Sequence, residues 1–233
     1  MTNPETLETA LAGVWGVFSV QNTWEAGVER EELQGIRFAE MAKNEGIEHF
    51  VYSSVGSAHL KTGIPHFDNK ARIEEKVREL GFPSFVILRP VFFMENLLSP
   101  SFKPGLDAGK LAIALKPETR LQMIAVEDIG RFGRLAFERY TSLNGRAIDI
   151  AGDERTMPET AEILGRALGR KIDFVPVPIA EVRKQSEDYA VMLEWFDRVG
   201  YSADIHGLFH EFGVRALTLG EWADKRLRLR AAA

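Results

Sequence analysis

The chain has 233 residues, 45% of them hydrophobic, enough for one domain with a sizeable core and an appended lobe. Its formal net charge of -5, with both signs mixed along the chain, disfavours nucleic acid as a direct partner. Cysteine is absent, which excludes disulfides and cysteine-ligated metals and suits a reducing, cytoplasmic compartment. No apolar run reaches the roughly 18 residues of a membrane helix, and the acidic start shows no signal-peptide pattern, so neither membrane nor export is expected.

Asn3-Pro4-Glu5 reads as a helix start, with Asn as N-cap, Pro at the first helical position and an acid in the first turn. That helix runs through Leu7 and Leu11 and stops at Gly13. Residues 14–20 are apolar on both faces, the composition of an interior parallel strand, and they lead into polar Gln21-Asn22-Thr23. A helix over residues 29–44 follows, with Leu33, Ile36 and Ala39 or Met41 turned inward and Gly46 past its end. Residues 50–55 form a short strand that turns polar at Ser53 and Ser54. A loop through Gly56 and Gly63 leads to a helix over about residues 67–80, closed by Gly81-Phe82-Pro83. Phe85-Val86-Ile87-Leu88 is the next strand and ends in Arg89-Pro90. Two apolar strands joined by a helical crossover make a βαβ unit with parallel strands. Ligands of such sheets bind beyond the carboxyl ends of the strands, where Ser53, Ser54 and residues 90–96 are expected.

Beyond Ser99 the pattern loosens at Pro100, Pro104, Gly105 and Gly109. Residues 121–126 predict a strand, Glu127-Asp128 open a helix through Phe132, Leu135 and Ala136, and residues 147–150 predict another strand. Thr156-Met157-Pro158-Glu159 is a capping box for a helix to Leu168. Residues 171–177 predict an edge strand, because Pro176 and Pro178 cannot donate to a ladder. The remainder predicts helices and loops, with Tyr189, Met192, Trp195, Phe196 and Trp222 as core or pocket wall. The basic tail (Lys225, Arg226, Arg228, Arg230) reads as a solvated helix end. The expected fold class is α/β: a Rossmann-like parallel sheet, N-terminally incomplete, over residues 1–100, and a smaller C-terminal α+β lobe over residues 101–233 that can return strands to the sheet.

The incompleteness follows from the first strand. Preceded only by a helix, residues 14–20 are left at a sheet edge, without the charge or Pro that blunts such edges. No G-x-x-G-x-x-G loop occurs, so the phosphate-binding strand-turn-helix of a doubly wound nucleotide domain has no counterpart. Either about three strands and two helices, on the order of 60 residues, are missing from the start, or the chain is a variant without the phosphate cradle.

Several runs carry a family resemblance: GVWGVFSVQ at 13–21, VYSS at 51–54, HFDNK at 66–70, LRPVFFMEN at 88–96, VEDIG at 126–130 and LTLGEW at 217–222. Through them the chain resembles, over essentially its whole length and in order, the NmrA-like family of atypical short-chain dehydrogenase/reductases. The resemblance implies a Rossmann-type domain with NADP or NAD, NADP slightly favoured, lying over the strand ends. It implies Gln21, Asn22 and Thr23 along the adenosine-ribose side, with Ser53 also against the cofactor. Lys70 would reach the nicotinamide ribose, and Pro90, Phe92, Phe93, Met94 and Asn96 would pass along the nicotinamide. The implied partners are the dinucleotide and either a small-molecule substrate or a regulatory protein.

His66 and Lys70 share a helix face at i and i+4. Short-chain dehydrogenases put Tyr four residues before the Lys, which holds the ribose and lowers the phenol's pKa for proton relay. Here position 66 is His, which either moves a proton near neutral pH or merely caps the helix or lines the pocket. Lys70 is a cofactor contact or a solvated lysine. Ser54 offers a substrate-orienting hydroxyl or simply ends a strand. Lys70, His66 and Ser54 are therefore the candidate catalytic residues. Glu95 and Asn96 face carboxamide or substrate, or cap the next segment, while Asp68 complements the helix dipole. His206 and His210 have Glu211 nearby but no third ligand, so no metal is expected. No G-x-S-x-G hydrolase elbow occurs. Two function classes remain: an NAD(P)H-dependent reductase of a small carbonyl or quinone acceptor, and a non-catalytic NADP(H)-sensing regulator. A truncated form that binds no dinucleotide is the third reading.

Overall fold

The structure, a computed structural model, describes residues 4–231. Asn3, the expected N-cap, lies outside the described residues, as do the side chains of Arg228 and Arg230. The first half comprises α1 (Pro4–Leu11), β1 (Gly16–Ser19), α2 (Thr23–Ala26), α3 (Val28–Asn44), β2 (His49–Ser53), α4 (Pro65–Glu79), β3 (Ser84–Pro90) and β4 (Phe92–Phe93). Then come α5 (Lys103–Asp107), β5 (Lys110–Ile113), β6 (Arg120–Ile124), α6 (Val126–Glu138), β7 (Ala147–Ile150), β8 (Asp153–Thr156), α7 (Met157–Leu168) and β9 (Asp173–Pro176). Four helices close the chain: α8 (Ile179–Gln185), α9 (Glu187–Arg198), α10 (Ile205–Phe212) and α11 (Leu219–Ala231). These elements form two compact units, Met1–Pro90 with Gly130–Asp149, and Val91–Ile129 with Ile150–Ala233. The second is the longer of the two.

The first unit is built on a sheet of order β1-β2-β3-β7, in which β1-β2 and β2-β3 are parallel. Side chains alternate across it. Phe50, Tyr52 and Ile87 face a core shared with Ala39, Ala42, Ile73 and Val77, where Phe50 stacks on Phe82 at 4.7 Å. On the other face Trp15 and His49 meet Phe137 and Tyr140 of the segment around the end of α6, with Trp15 edge-on to Tyr140 at 5.0 Å. Burying both faces accounts for the near-continuous apolar strands. Among the described residues β1 is an edge, paired only with β2, and Trp15, Phe18 and Val20 remain 43%, 40% and 53% exposed. Its apolar composition therefore does not make it an interior strand of this sheet.

The inward face of α3 matches the expected one at Ala39, with Ile36 and Met41 packed against the core, but departs from it at Leu33. Leu33 is 52% exposed, Ile36 and Met41 are only partly buried, and the buried residues are Glu31, Gly35, Ala39 and Ala42. The reason is close helix packing: a Cβ on Gly35 would stand 2.5 Å from Ile73 Cδ1 of α4. A stripe of small residues permits that approach, and the same stripe carries Glu31 one turn earlier.

In the second unit β4 and β6 are parallel, β6 and β8 antiparallel, and β5 and β9 form a separate parallel pair. β5 reads KLAI and alternates, with Leu111 and Ile113 buried, whereas β8, which reads DERT, does not announce itself by apolar alternation. The capping box forms as expected, with Glu159 accepting from Thr156 N at 2.7 Å and Thr156 Oγ1 from Glu159 N at 3.3 Å. Glu95 accepts from Val126 N, at the start of α6, at 3.0 Å and from Trp222 Nε1 at 2.9 Å, rather than capping the segment that directly follows it. Among the described residues no helix is long and apolar enough to cross a membrane.

Candidate functional site

The polar residues of the first unit gather where β1 and β2 end. After β1 the chain turns at Asn22, whose side chain caps α2 by accepting from Trp24 N at 3.1 Å, and Gly27 (φ +81°) turns it again into α3. These turns bring Thr23 beside Glu31, and Thr23 Oγ1 donates to its carboxylate. From the first turns of α4, Asn69 Nδ2 donates to Glu31 Oε2 and to Val28 O, both at 2.9 Å. Lys70 Nζ donates to Glu31 Oε1 at 2.6 Å and to Gln21 O at 3.3 Å. Glu31 is fully buried and Lys70 is 9% exposed, so Lys70 is not a solvated lysine but half of a buried ion pair. Two of its three donors are engaged in these contacts.

His66, one turn earlier on α4, is 7% exposed, with its ring 5.6 Å from Trp24 and edge-on to Phe67 at 4.8 Å. Ser53 and Ser54 are buried at the end of β2, where Ser54 N donates to Leu88 O at 2.7 Å. Ser54 Oγ lies close to Glu74 but in no regular hydrogen bond. Gln21 donates through Nε2 to Ser19 Oγ at 2.9 Å, while its Oε1 has no partner. Tyr52 OH and Asn69 Oδ1 are buried and unpartnered as well. Burial pushes the Tyr52 phenol well above its usual value, and the charges of Glu31 and Glu74 push it further. It therefore keeps its proton and cannot stand in for the missing Tyr at position 66.

A second cluster ties down the loop after β2. Arg89, at the end of β3, donates to Glu74 through Nε at 2.8 Å and Nη2 at 2.7 Å, a bidentate pair. Its Nη1 is 2.9 Å from His59 Nδ1 and 3.5 Å from Asp149, which in turn accepts from Ser57 N at 2.8 Å. Ser57 and Lys61 flank the short turn at Ala58–Leu60 with φ of 63° and 51°. Burial raises the Glu74 carboxyl, but the bonds and charge of Arg89, helped by Arg78, outweigh it and hold the pKa below 4.5.

The remaining expected contacts divide between the units. Pro90 ends β3 in the first, its carbonyl accepting from Gly56 N at 2.8 Å. Phe92, Phe93, Met94 and Asn96 belong to the second unit, where Phe92 and Phe93 pair with Met123 and Ile124 and Met94 is fully buried. Among the described residues no three His, Asp or Glu side chains are grouped to hold a metal ion. Sequence reasoning missed Glu31 altogether. An acid in the first turn of a helix reads as a dipole complement, and only the small-residue stripe it shares with Gly35 could have marked it.

The NmrA-like family profile matches residues 1–222, nearly the whole chain. The chain belongs to the NmrA-like family. It is 25% identical over 209 residues to an NmrA-like domain-containing protein of Dictyostelium discoideum, covering 84% of this chain and 69% of that one. It spans only 36% of the Neurospora crassa nitrogen metabolite repression protein and 60% of the Aspergillus fumigatus festuclavine dehydrogenase, at 28% and 26% identity over 70% and 76% of this chain. Solved structures share the fold. Citrobacter sp. triphenylmethane reductase with NADP(H) has a TM-score of 0.79 at 16% identity, over 97% of this chain and 80% of that one. The negative transcriptional regulator NmrA with NAD has 0.76 at 19%, over 98% and 79%. An Escherichia coli NADPH-dependent quinone oxidoreductase has 0.75 at 19%, over 96% and 79%.

The nicotinamide dinucleotide that this NmrA-like chain's family implies can be tested against the residues. Buried, unpartnered Gln21 Oε1 and Asn69 Oδ1 call for partners, and a hydroxyl-rich group such as ribose can supply them. Lys70 offers a fixed cation at the same strand ends. The sugar end of the dinucleotide thus fits the NmrA-like chain, whereas its sequence contains no glycine-rich turn to cradle the pyrophosphate.

Proposed function

We propose that this NmrA-like chain holds the nicotinamide-ribose end of NADP or NAD, NADP ahead of NAD, beyond the carboxyl ends of β1 and β2, and serves NAD(P)H-dependent reduction of a small carbonyl or quinone acceptor. The observation that carries this reading is the buried Lys70 ammonium, held by Glu31 and Gln21 O beside unpartnered polar atoms. When bound, the dinucleotide supplies hydride. The protein's part is placement: Lys70 donates to the ribose hydroxyls, Ser54 orients the acceptor oxygen, and His66 passes the proton. Reductases among the fold relatives support the reading, and a cysteine-free chain suits a cytoplasmic setting.

A second reading, a dinucleotide-sensing regulator that acts through a protein partner, rests on one observation. The Tyr of the usual pair is replaced by His66, set among Trp24 and Phe67, and Tyr52 cannot replace it. Fluorescence titration of the purified chain with NADPH and NADH tests binding, and Lys70→Ala is expected to weaken it about tenfold or more. Equal binding by both proteins removes Lys70 from the site, and no binding by either supports a form that takes no dinucleotide. NADPH oxidation against a panel of quinones and aldehydes separates the two functions. Turnover abolished by His66→Ala refutes the regulator-only reading.

A further inference from the structure

We infer that Glu31 is the positioning residue for Lys70: a buried carboxylate on α3 that aims the ammonium of α4 at the cofactor sugar. The inference rests on the dinucleotide reading above and assigns a role to a residue with no counterpart in the Tyr/His-Lys pairing. Three donors from two elements, α4 and the start of α2, converge on the two oxygens of Glu31. Lys70 Nζ takes Oε1 at 2.6 Å, and Asn69 Nδ2 at 2.9 Å and Thr23 Oγ1 share Oε2. The carboxylate has no exposed surface, so water cannot substitute for any of them. Lysine is a flexible four-carbon stem ending in a strongly hydrated charge. Left alone at a strand end it would turn toward solvent. Glu31 removes that freedom, and the Gln21 carbonyl at 3.3 Å takes a second hydrogen, which fixes the direction of the third.

The helices enforce the arrangement. Gly35 and Ile73 mark the close approach of α3 and α4, and Glu31 and Asn69 lie one turn before them on the two facing surfaces. Asn69 also anchors the start of α3 by donating to Val28 O at 2.9 Å. Glu31, Asn69 and Lys70 therefore move as one body. The Thr23 bond extends it to the segment that follows β1, which supplies Gln21 as well. A merely structural ion pair would be served equally well by a lysine aimed elsewhere. Unpartnered Oε1 of Gln21, the residue whose carbonyl the ammonium also reaches, argues that the ammonium's direction has a use.

The test is a double-mutant cycle on the full chain, with NADPH and NADH as probes and thermal unfolding in parallel. Glu31→Gln keeps the shape and removes the charge; Lys70→Met removes the ammonium. Glu31→Gln is expected to weaken dinucleotide affinity roughly tenfold in the wild-type background, and by less than about twofold where Lys70 is already Met. Its effect on the unfolding midpoint, in contrast, should reverse between backgrounds: a loss where Lys70 is left without its counter-ion, and a gain where Lys70 is Met and the carboxylate is the unpaired charge. An unchanged affinity in Glu31→Gln overturns the inference while leaving dinucleotide binding standing, as does the same fold-loss in both backgrounds. Failure of the wild-type chain to bind either dinucleotide overturns the cofactor reading, and the role of Glu31 with it. If Glu31→Gln unfolds, Glu31→Asp, which keeps the charge but withdraws it by one methylene, must show weakened binding with a wild-type circular dichroism spectrum; wild-type affinity in that variant sinks the inference.

Discussion

Replacing Arg89 by Met is the perturbation whose size the structure specifies best. The guanidinium is 7% exposed and makes two charge-assisted hydrogen bonds of 2.8 and 2.7 Å to Glu74, whose side chain is only 2% exposed. Without it Glu74 keeps Arg78 at 3.0 Å, a partner on the helix surface that is 39% exposed. Breaking a buried pair on one side costs about 3–5 kcal/mol, because a charge is left in a poor solvent. For a protein of this length about 2–4 °C is lost per kcal/mol, so the midpoint should fall by about 6–20 °C. The loss is also pH-dependent. In the wild type Arg89 holds the Glu74 carboxyl below 4.5, so the pair's stabilisation is present above that value and disappears as pH falls through the folded-state pKa. In the variant, burial dominates and raises the carboxyl, so the penalty is greatest near neutrality and shrinks as the pH falls and Glu74 takes up a proton. Urea unfolding across this range, together with the double variant Arg89→Met/Glu74→Leu, provides the measurement. The double variant should recover most of the loss, since an apolar pair needs no counter-ion. A single variant within about 1 kcal/mol of wild type, or a double variant as unstable as the single one, would refute the reasoning.

Two further outcomes follow from buried contacts. Gly35→Ala should destabilise by about 1–3 kcal/mol despite the better helix propensity of alanine, because its Cβ would press on Ile73 atoms at 2.5, 3.0 and 3.1 Å. Gly130→Ala on α6, where nothing stands within 4 Å, should be neutral or stabilising, and chemical denaturation of both variants would expose an error in the assigned helix contact. His49 is fully buried beneath Trp15 and Phe137 and 3.0 Å from Ser84 Oγ; burial lowers its pKa below 6.5 although hydrogen bonds oppose the shift. Its contribution to stability is therefore complete above 6.5 and is lost as pH falls from there through the folded-state value. His49→Gln should flatten the stability curve in that window, and an unchanged slope would show that His49 does not titrate on unfolding.

The local grammar of the chain was largely visible in its residues. Continuous burial of Phe50, Val51 and Tyr52 on a parallel strand, the Thr156 capping box and the proline-ended strand at Pro176 all follow from short-range patterns. Each such pattern is a property of neighbours in sequence, with periods of 2 or 3.6 residues that a single segment displays by itself. The pairing of His66 with Lys70 on one helical face belongs to the same class.

What tertiary structure alone decided is which of two overlapping stripes on α3 turns inward. Leu33 looks the better core, yet it stays exposed while Gly35 and Ala42 join the expected Ala39 inside, the bare Gly35 letting α4 approach at Ile73. That choice carries Glu31 inward, turns Lys70 from a surface lysine into a buried ion pair and brings Gln21 O to the same ammonium. Likewise, β5 and β9 pair across 63 residues and β8 is a strand although it reads DERT. Helix propensity and apolar period act over a few residues, whereas the partner of a buried charge is set by the distance between two packed helices. A sequence records that distance only through the residues that are small enough to allow it.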